Sequence, residues 1–193
     1  MTELSTPQYS QAEDFFNSFT HMAGGLLTAY GTYRLILKSS MPSFVVCALA
    51  YGVSIFTMFL ISALYHAIRD QEVKGAVRKF DHALIYFAIG GTYIPIVNAI
   101  FPPAQGMIWY GALGACALIG AVFSFITLKH EYVTTVVYLV MGWASLLLLK
   151  NLWGVAEPIT SYLLVAGGVV YSLGAAFYLI RKSFMHTDRK SVV

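Results

Sequence analysis

Apolar residues run through this chain in long blocks separated by short polar stretches. Six such blocks occupy residues 19–37, 43–65, 83–101, 107–128, 132–149 and 159–180. Each approaches the ~20 residues that a helix needs to cross a hydrocarbon core ~30 Å thick. Inside lipid every backbone polar group must be bonded internally, which leaves helices or closed barrels. Blocks of this length without strict alternation select helices. The pattern therefore predicts an all-α fold, a polytopic membrane helix bundle with six spans. The first span is the weakest, since it holds Thr28, Thr32 and Arg34, although Arg34 lies near its end and can snorkel. Linkers at 39–42, 102–106 and 129–131 are too short for an extramembrane domain, so neighbouring helices pack antiparallel. The stretch 67–80 is expected to be a loop that returns the chain to the same membrane level, with Asp81 opening the third span. The organisation reads as an N-terminal segment over 1–18, a transmembrane bundle over 19–180 and a short basic tail over 181–193.

Composition strengthens this reading. Of 193 residues, 58% are hydrophobic and only 11% charged, and mean hydropathy is +0.69. A soluble domain carries roughly 25% charged residues. Thirteen Tyr, thirteen Phe and three Trp exclude a disordered chain. Cys47 and Cys116 both fall inside apolar blocks, so neither a disulfide framework nor a cysteine zinc site is expected. The acidic start, with Glu3, Glu13 and Asp14 and no Lys or Arg before residue 19, does not have the form of a cleavable signal peptide.

A net charge of +3 is too small to point to nucleic acid, and its distribution matters more. Nine cations fall on the side that holds the N-terminus: Arg69, Lys74, Arg78, Lys79, Lys129, Arg181, Lys182, Arg189 and Lys190. Arg34, Lys38 and Lys150 fall on the other. The positive-inside rule then places both termini in the cytoplasm. Small residues recur at four-residue spacing (Gly111 with Ala115, Gly120 with Ser124, Gly168 with Ser172 and Ala176), faces that let helices approach closely in lipid. Pro95 is expected to kink the third span. Aromatic residues near span ends, Trp109, Tyr110, Tyr132 and Trp153, form the usual interfacial belt.

Candidate chemistry gathers at one membrane face. Under this topology all five histidines, His21, His66, His82, His130 and His186, lie at the cytoplasmic boundary. The segment Ser62-Ala-Leu-Tyr-His66 puts a hydroxyl and an imidazole one turn apart on one helical face, with Asp81 opening the next span. An imidazole, a hydroxyl and a carboxylate facing a bundle interior suit a cation such as zinc with water as a further ligand, and a boundary carboxylate is expensive unless it is used. The plainer readings also stand: Asp81 as a helix cap, His66 as an interfacial anchor, and Ser62 bonded to a carbonyl one turn back. No phosphate-binding glycine loop, nucleophile elbow or HExxH is present.

These residues carry a resemblance. Asn17-Ser-Phe-Thr-His21, Ser62-Ala-Leu-Tyr-His66-Ala, Lys79-Phe-Asp81-His82-Ala-Leu-Ile-Tyr86 and Gly91-Thr-Tyr-Ile-Pro95 are similar to the bacterial hemolysin III family. So are Tyr138-Leu-Val-Met-Gly-Trp143 and Gly167-Gly-Val-Val-Tyr-Ser-Leu-Gly174. The family is the prokaryotic branch of the progestin and adipoQ receptor superfamily, which includes the adiponectin receptors. The resemblance covers roughly residues 13–182 and implies a seven-helix bundle in the bacterial inner membrane with zinc near the cytoplasmic face. It carries a metal-ligand role to His66, a water-holding role to Asp81 and a catalytic role to Ser62. It implies membrane homeostasis or permeabilisation (cytolysis), with zinc-dependent hydrolysis of lipid amides of the ceramidase type as the alternative, so the expected partners are the bilayer and a lipid substrate.

After Lys182 the pattern departs. The family continues through an HxxxH pair into a seventh span, whereas this chain reads Ser-Phe-Met-His186-Thr-Asp-Arg-Lys190-Ser-Val-Val193. His186 corresponds to the first histidine of the pair and is the second metal ligand expected, while Lys190 stands at the other position. The expectation is a family-like bundle lacking its last helix, with an incomplete zinc ligand set and a tendency to self-associate.

Overall fold

The computed structural model describes residues 9–126 and 131–190, with backbone alone for 131, 178 and 181–190. Seven helices follow one another among the described residues: α1 (Gln11–Lys38), α2 (Pro42–Ala67), α3 (Gln71–Ile100), α4 (Pro103–Ile126), α5 (Glu131–Trp143), α6 (Leu146–Trp153) and α7 (Pro158–Lys190). No strand occurs among them. Five stretches are long and apolar enough to cross a membrane: α2, α3, α4, the run Tyr132–Trp153 and Pro158–Phe177. The protein is an all-α polytopic membrane protein. Large side chains such as Ile119, Leu147, Val170 and Phe177 are about 70% exposed, as lipid-facing positions require.

The chain divides into two compact units, at residues 1–129 and 130–193. In the first, α1 packs along α2, α2 along α3 and α3 along α4, as the short connections demand. Close approach comes from setting glycine against a larger side chain. Gly120 of α4 faces the ring of Tyr86, which is 1% exposed, and a Cβ at that glycine would overlap the ring. Gly91 of α3 stands against Ser54 of α2, and Gly52 of α2 against Thr32 of α1. Gly111, in contrast, has no atom within 4 Å of where its Cβ would be. The Gly120–Ser124 pair is thus a packing face, and the Gly111–Ala115 pair looks outward.

In the second unit the fifth apolar block is one span made of two helices. Between α5 and α6, backbone bonds from Ser145 to Gly142, Leu147 to Ala144 and Leu148 to Ser145 tighten the turn. Trp143 donates through Nε1 to Ser172 Oγ at 2.9 Å, and Ser172 donates to the carbonyl of Gly168, joining α5 to α7.

Three expectations change. The stretch 67–80 is not a loop: α3 begins at Gln71, where Asp70 caps it by accepting from the Val73 amide. The loop reading failed because Lys74, Arg78 and Lys79 suggested solvent, yet Lys74 and Arg78 are 3% and 5% exposed. Asp81 consequently lies three turns inside α3 and caps nothing. The tail is helical as far as Lys190, so residues 181–190 continue α7 rather than trailing from it. Pro95 sits inside α3, which runs through it to Ile100.

Candidate functional site

Ser10 and Glu13 start α1 with a reciprocal cap. The Ser10 hydroxyl accepts from the Glu13 amide, and the Glu13 carboxylate accepts from the Ser10 amide. Glu13 is thereby consumed by the helix end, and Asp14 faces the neighbouring helices instead. Its Oδ1 lies 2.9 Å from His66 Nδ1 on α2, and its Oδ2 accepts from Lys74 Nζ on α3 at 2.6 Å. One carboxylate from the first helix therefore joins the second and the third. The Asp14 side chain is 21% exposed, His66 9% and Lys74 4%. Partial burial works to raise the Asp14 carboxyl, but the hydrogen bonds and charges of Lys74 and His66 outweigh it and hold it below the ordinary carboxylate value. Asp14 is ionised at neutral pH.

Aromatic rings enclose the His66 imidazole. Tyr65 meets it edge-on at 4.8 Å between centroids and Tyr9 at 5.4 Å, while His21 stacks on it at 5.8 Å with planes 10° apart. The Lys74 ammonium lies 5.3 Å from the centre of the Tyr65 ring, a cation–π contact within the usual range. Asp81 is within electrostatic reach of His21 and Tyr65, and Arg78 of Tyr65. His21 Nδ1 is buried and has no hydrogen-bond partner among the described residues. Ser62 is buried one turn before His66. Nearby, Ser18 donates to the Ala63 carbonyl at 2.9 Å, a second polar tie between α1 and α2.

Of the residues singled out from sequence, Ser62, His66 and Asp81 fall at the same end of α2 and α3, with His21 of α1 beside them. The His186 side chain and all of His130 lie outside the described residues. Sequence reasoning missed Asp14 and Lys74. The signal available was weak: Asp14, Asn17 or Ser18, and His21 share one face of a helix at the i, i+4, i+7 spacing.

The zinc that the resemblance implies can be tested against this cluster. Metal-binding imidazoles characteristically give their other ring nitrogen to a carboxylate, which is the arrangement of His66 with Asp14. The orphaned His21 nitrogen is a further neutral donor in the same place. The chemistry present offers a metal one side of a site: His66 would hold it, with Asp81 within electrostatic reach of the neighbouring His21. Among the described residues no group of three His, Cys, Asp or Glu is placed to hold a metal, so the remaining ligands would have to come from elsewhere.

A second cavity-like feature lies farther along the same helices. It is an apolar recess of about 350 Å³ lined by Ser54, Phe87, Gly91, Ile94, Tyr110 and Ala117. Its hydroxyls are spoken for, Ser54 by the Tyr51 carbonyl and Tyr110 by that of Ile94.

Comparison with known proteins agrees with the motifs. The profile of the family described as Haemolysin-III related matches residues 9–187. Hemolysin-3 of Bacillus cereus is 33% identical over 177 residues, covering 88% of this chain and 80% of that protein. The Hemolysin-3 homolog of Bacillus subtilis is 32% identical over 178 residues, covering 90% of this chain and 84% of that protein. No solved structure matches the chain. With its motifs in order along helices built to span lipid, the chain belongs to the Haemolysin-III related family of membrane proteins.

Proposed function

We propose that the protein acts on lipid bilayers, permeabilising the membrane or adjusting its state; the name Hemolysin-3 of its relatives favours the first of these. The observation that carries this reading is the similarity to Hemolysin-3 across 88% of the chain. In this reading it resides in the bacterial inner membrane with both termini cytoplasmic. Its partners are lipids and, by self-association, a second copy of itself.

A second reading, zinc-dependent hydrolysis of a lipid amide, is favoured by one specific feature: a carboxylate-bonded His66 beside an unpartnered His21 nitrogen. Zinc, when bound, would polarise an amide carbonyl and lower the pKa of water. His66 and His186 are the metal ligands in this reading. Asp81 would accept a proton from the attacking water, and Ser62 would offer a hydroxyl to the substrate along the same face of α2.

Dye-loaded liposomes reconstituted with the purified protein separate the two. Permeabilisation predicts leakage that rises with protein content and persists in His66→Ala. The hydrolase reading predicts instead turnover of a ceramide-type amide that His66→Ala and Asp81→Asn both abolish. Liposomes that stay sealed at every protein ratio would overturn the first reading.

A further inference from the structure

We infer that Asp14 is the positioning residue of this site: it fixes the tautomer and the orientation of His66, with Lys74 as its counter-ion. The inference rests on the second reading only in supposing that His66 presents a ring nitrogen to a ligand.

An ionised carboxylate only accepts hydrogen bonds, and Asp14 Oδ2 is paired with the Lys74 ammonium at 2.6 Å. The 2.9 Å contact between His66 Nδ1 and Asp14 Oδ1 therefore requires the proton on Nδ1. In the neutral ring the lone pair then belongs to Nε2, the nitrogen left to meet a metal, a water or a substrate proton. Without Asp14 the two tautomers of the ring would be chosen by weaker forces.

Lys74 completes the device. The ammonium at 2.6 Å holds Oδ2 and leaves Oδ1 to His66, and its own place is set by burial and by the Tyr65 ring. Tyr65 also lies edge-on to His66, so the counter-ion and the imidazole share one aromatic wall. Three helices contribute one element each, which explains why His66 and Lys74 are 52 and 60 residues from Asp14 in sequence.

The test is nitrogen NMR on protein labelled with 15N-histidine in lipid nanodiscs, with the His66 signals assigned by their loss in His66→Gln. At about pH 8, above the ordinary imidazole range, the wild type is expected to show a protonated Nδ1 and an unprotonated Nε2. Asp14→Asn, whose amide can donate as well as accept, is expected to mix or reverse the two forms. Asp14→Glu is expected to restore the wild-type pattern, and it carries the test should the Asn variant fail to fold. A wild-type His66 protonated on Nε2, or an unchanged tautomer in a folded Asp14→Asn, would overturn the inference. Zinc titration of the same samples separates it from the metal reading, because positioning partners of metal-bound histidines are typically worth 10–100-fold in affinity. Zinc binding that weakens by that factor in Asp14→Asn supports both. Failure of the wild type to bind zinc, with its tautomer as expected, would remove the metal reading and uphold the positioning role.

Discussion

Glu13 and Asp14 stand side by side in the first turn of α1 and are put to opposite uses. Glu13 closes the helix end on Ser10, while Asp14 reaches across to α2 and α3. Sequence alone shows two acids near a helix start, for which a favourable place beside the helix dipole is sufficient reason. Only the packing of α2 and α3 distinguishes them. His66, Ser62 and Asp81 were legible because an i, i+4 pair and a carboxylate at the next span form a local pattern. Lys74 was not, because a lysine between two apolar blocks reads as solvated. Its burial makes its removal costly. Lys74→Met leaves the Asp14 carboxylate without its cation in a partly buried place, and an ionic hydrogen bond of this kind contributes ~1.5–3 kcal/mol, less where water reaches it. We expect Lys74→Met to lower thermal stability in detergent by about 1–2 kcal/mol, and Asp14→Asn/Lys74→Met to recover much of the loss. A double variant destabilised by as much as the sum of the singles would show that the two groups are not coupled as the structure places them.

The helices themselves were largely legible as elements, since apolar block length and the absence of alternation are properties of the chain alone. What the blocks could not reveal was helix that continues beyond the apolar run. At the start of α3, Asp70 supplies an N-cap and the first three turns are polar, so hydropathy stops where the helix does not. The small-residue faces were ambiguous for a related reason: spacing marks a face without saying what it meets. Here the structure divides them. Valine at position 120 would press on the Tyr86 ring, a fully buried side chain with nowhere to move, whereas valine at 111 enters open space. Overpacking of this kind typically costs ~1–3 kcal/mol. Gly120→Val is therefore expected to lower the unfolding temperature markedly and to loosen α3 from α4, and Gly111→Val to leave it nearly unchanged. Equal effects from the two substitutions would mean that α4 presents a different face to α3.

At the scale of the whole molecule, the question is whether α1 crosses the membrane. Composition counts five spans without it, an odd number that would leave the termini on opposite sides. α1 has 28 residues and hence a length of about 42 Å at 1.5 Å per residue, more than a hydrocarbon core requires. Its polar groups are placed for crossing. Between Asp14 at one end and Arg34 at the other, His21 is the sole imidazole and no other acid or base interrupts the helix apart from tyrosine hydroxyls. Thr28 and Thr32 donate to the carbonyls of Gly24 and Thr28, each at 2.8 Å, so neither hydroxyl is left bare in lipid. Arg34 folds back onto the Tyr30 hydroxyl at 2.8 Å, near enough to the end for its charge to reach the interface. The tie of Asp14 to His66 and Lys74 fixes the start of α1 level with the end of α2 and the start of α3, and antiparallel packing carries its other end toward the start of α2. With α1 counted the spans number six, and nine of the twelve cations would then fall on the side of the termini. Reporter fusions at Glu3 and at Val193 should therefore both give a cytoplasmic signal. A cytoplasmic signal at one and a periplasmic signal at the other would mean that α1 lies along the membrane surface, and the Asp14 tie would then hold a surface helix to the mouth of the bundle.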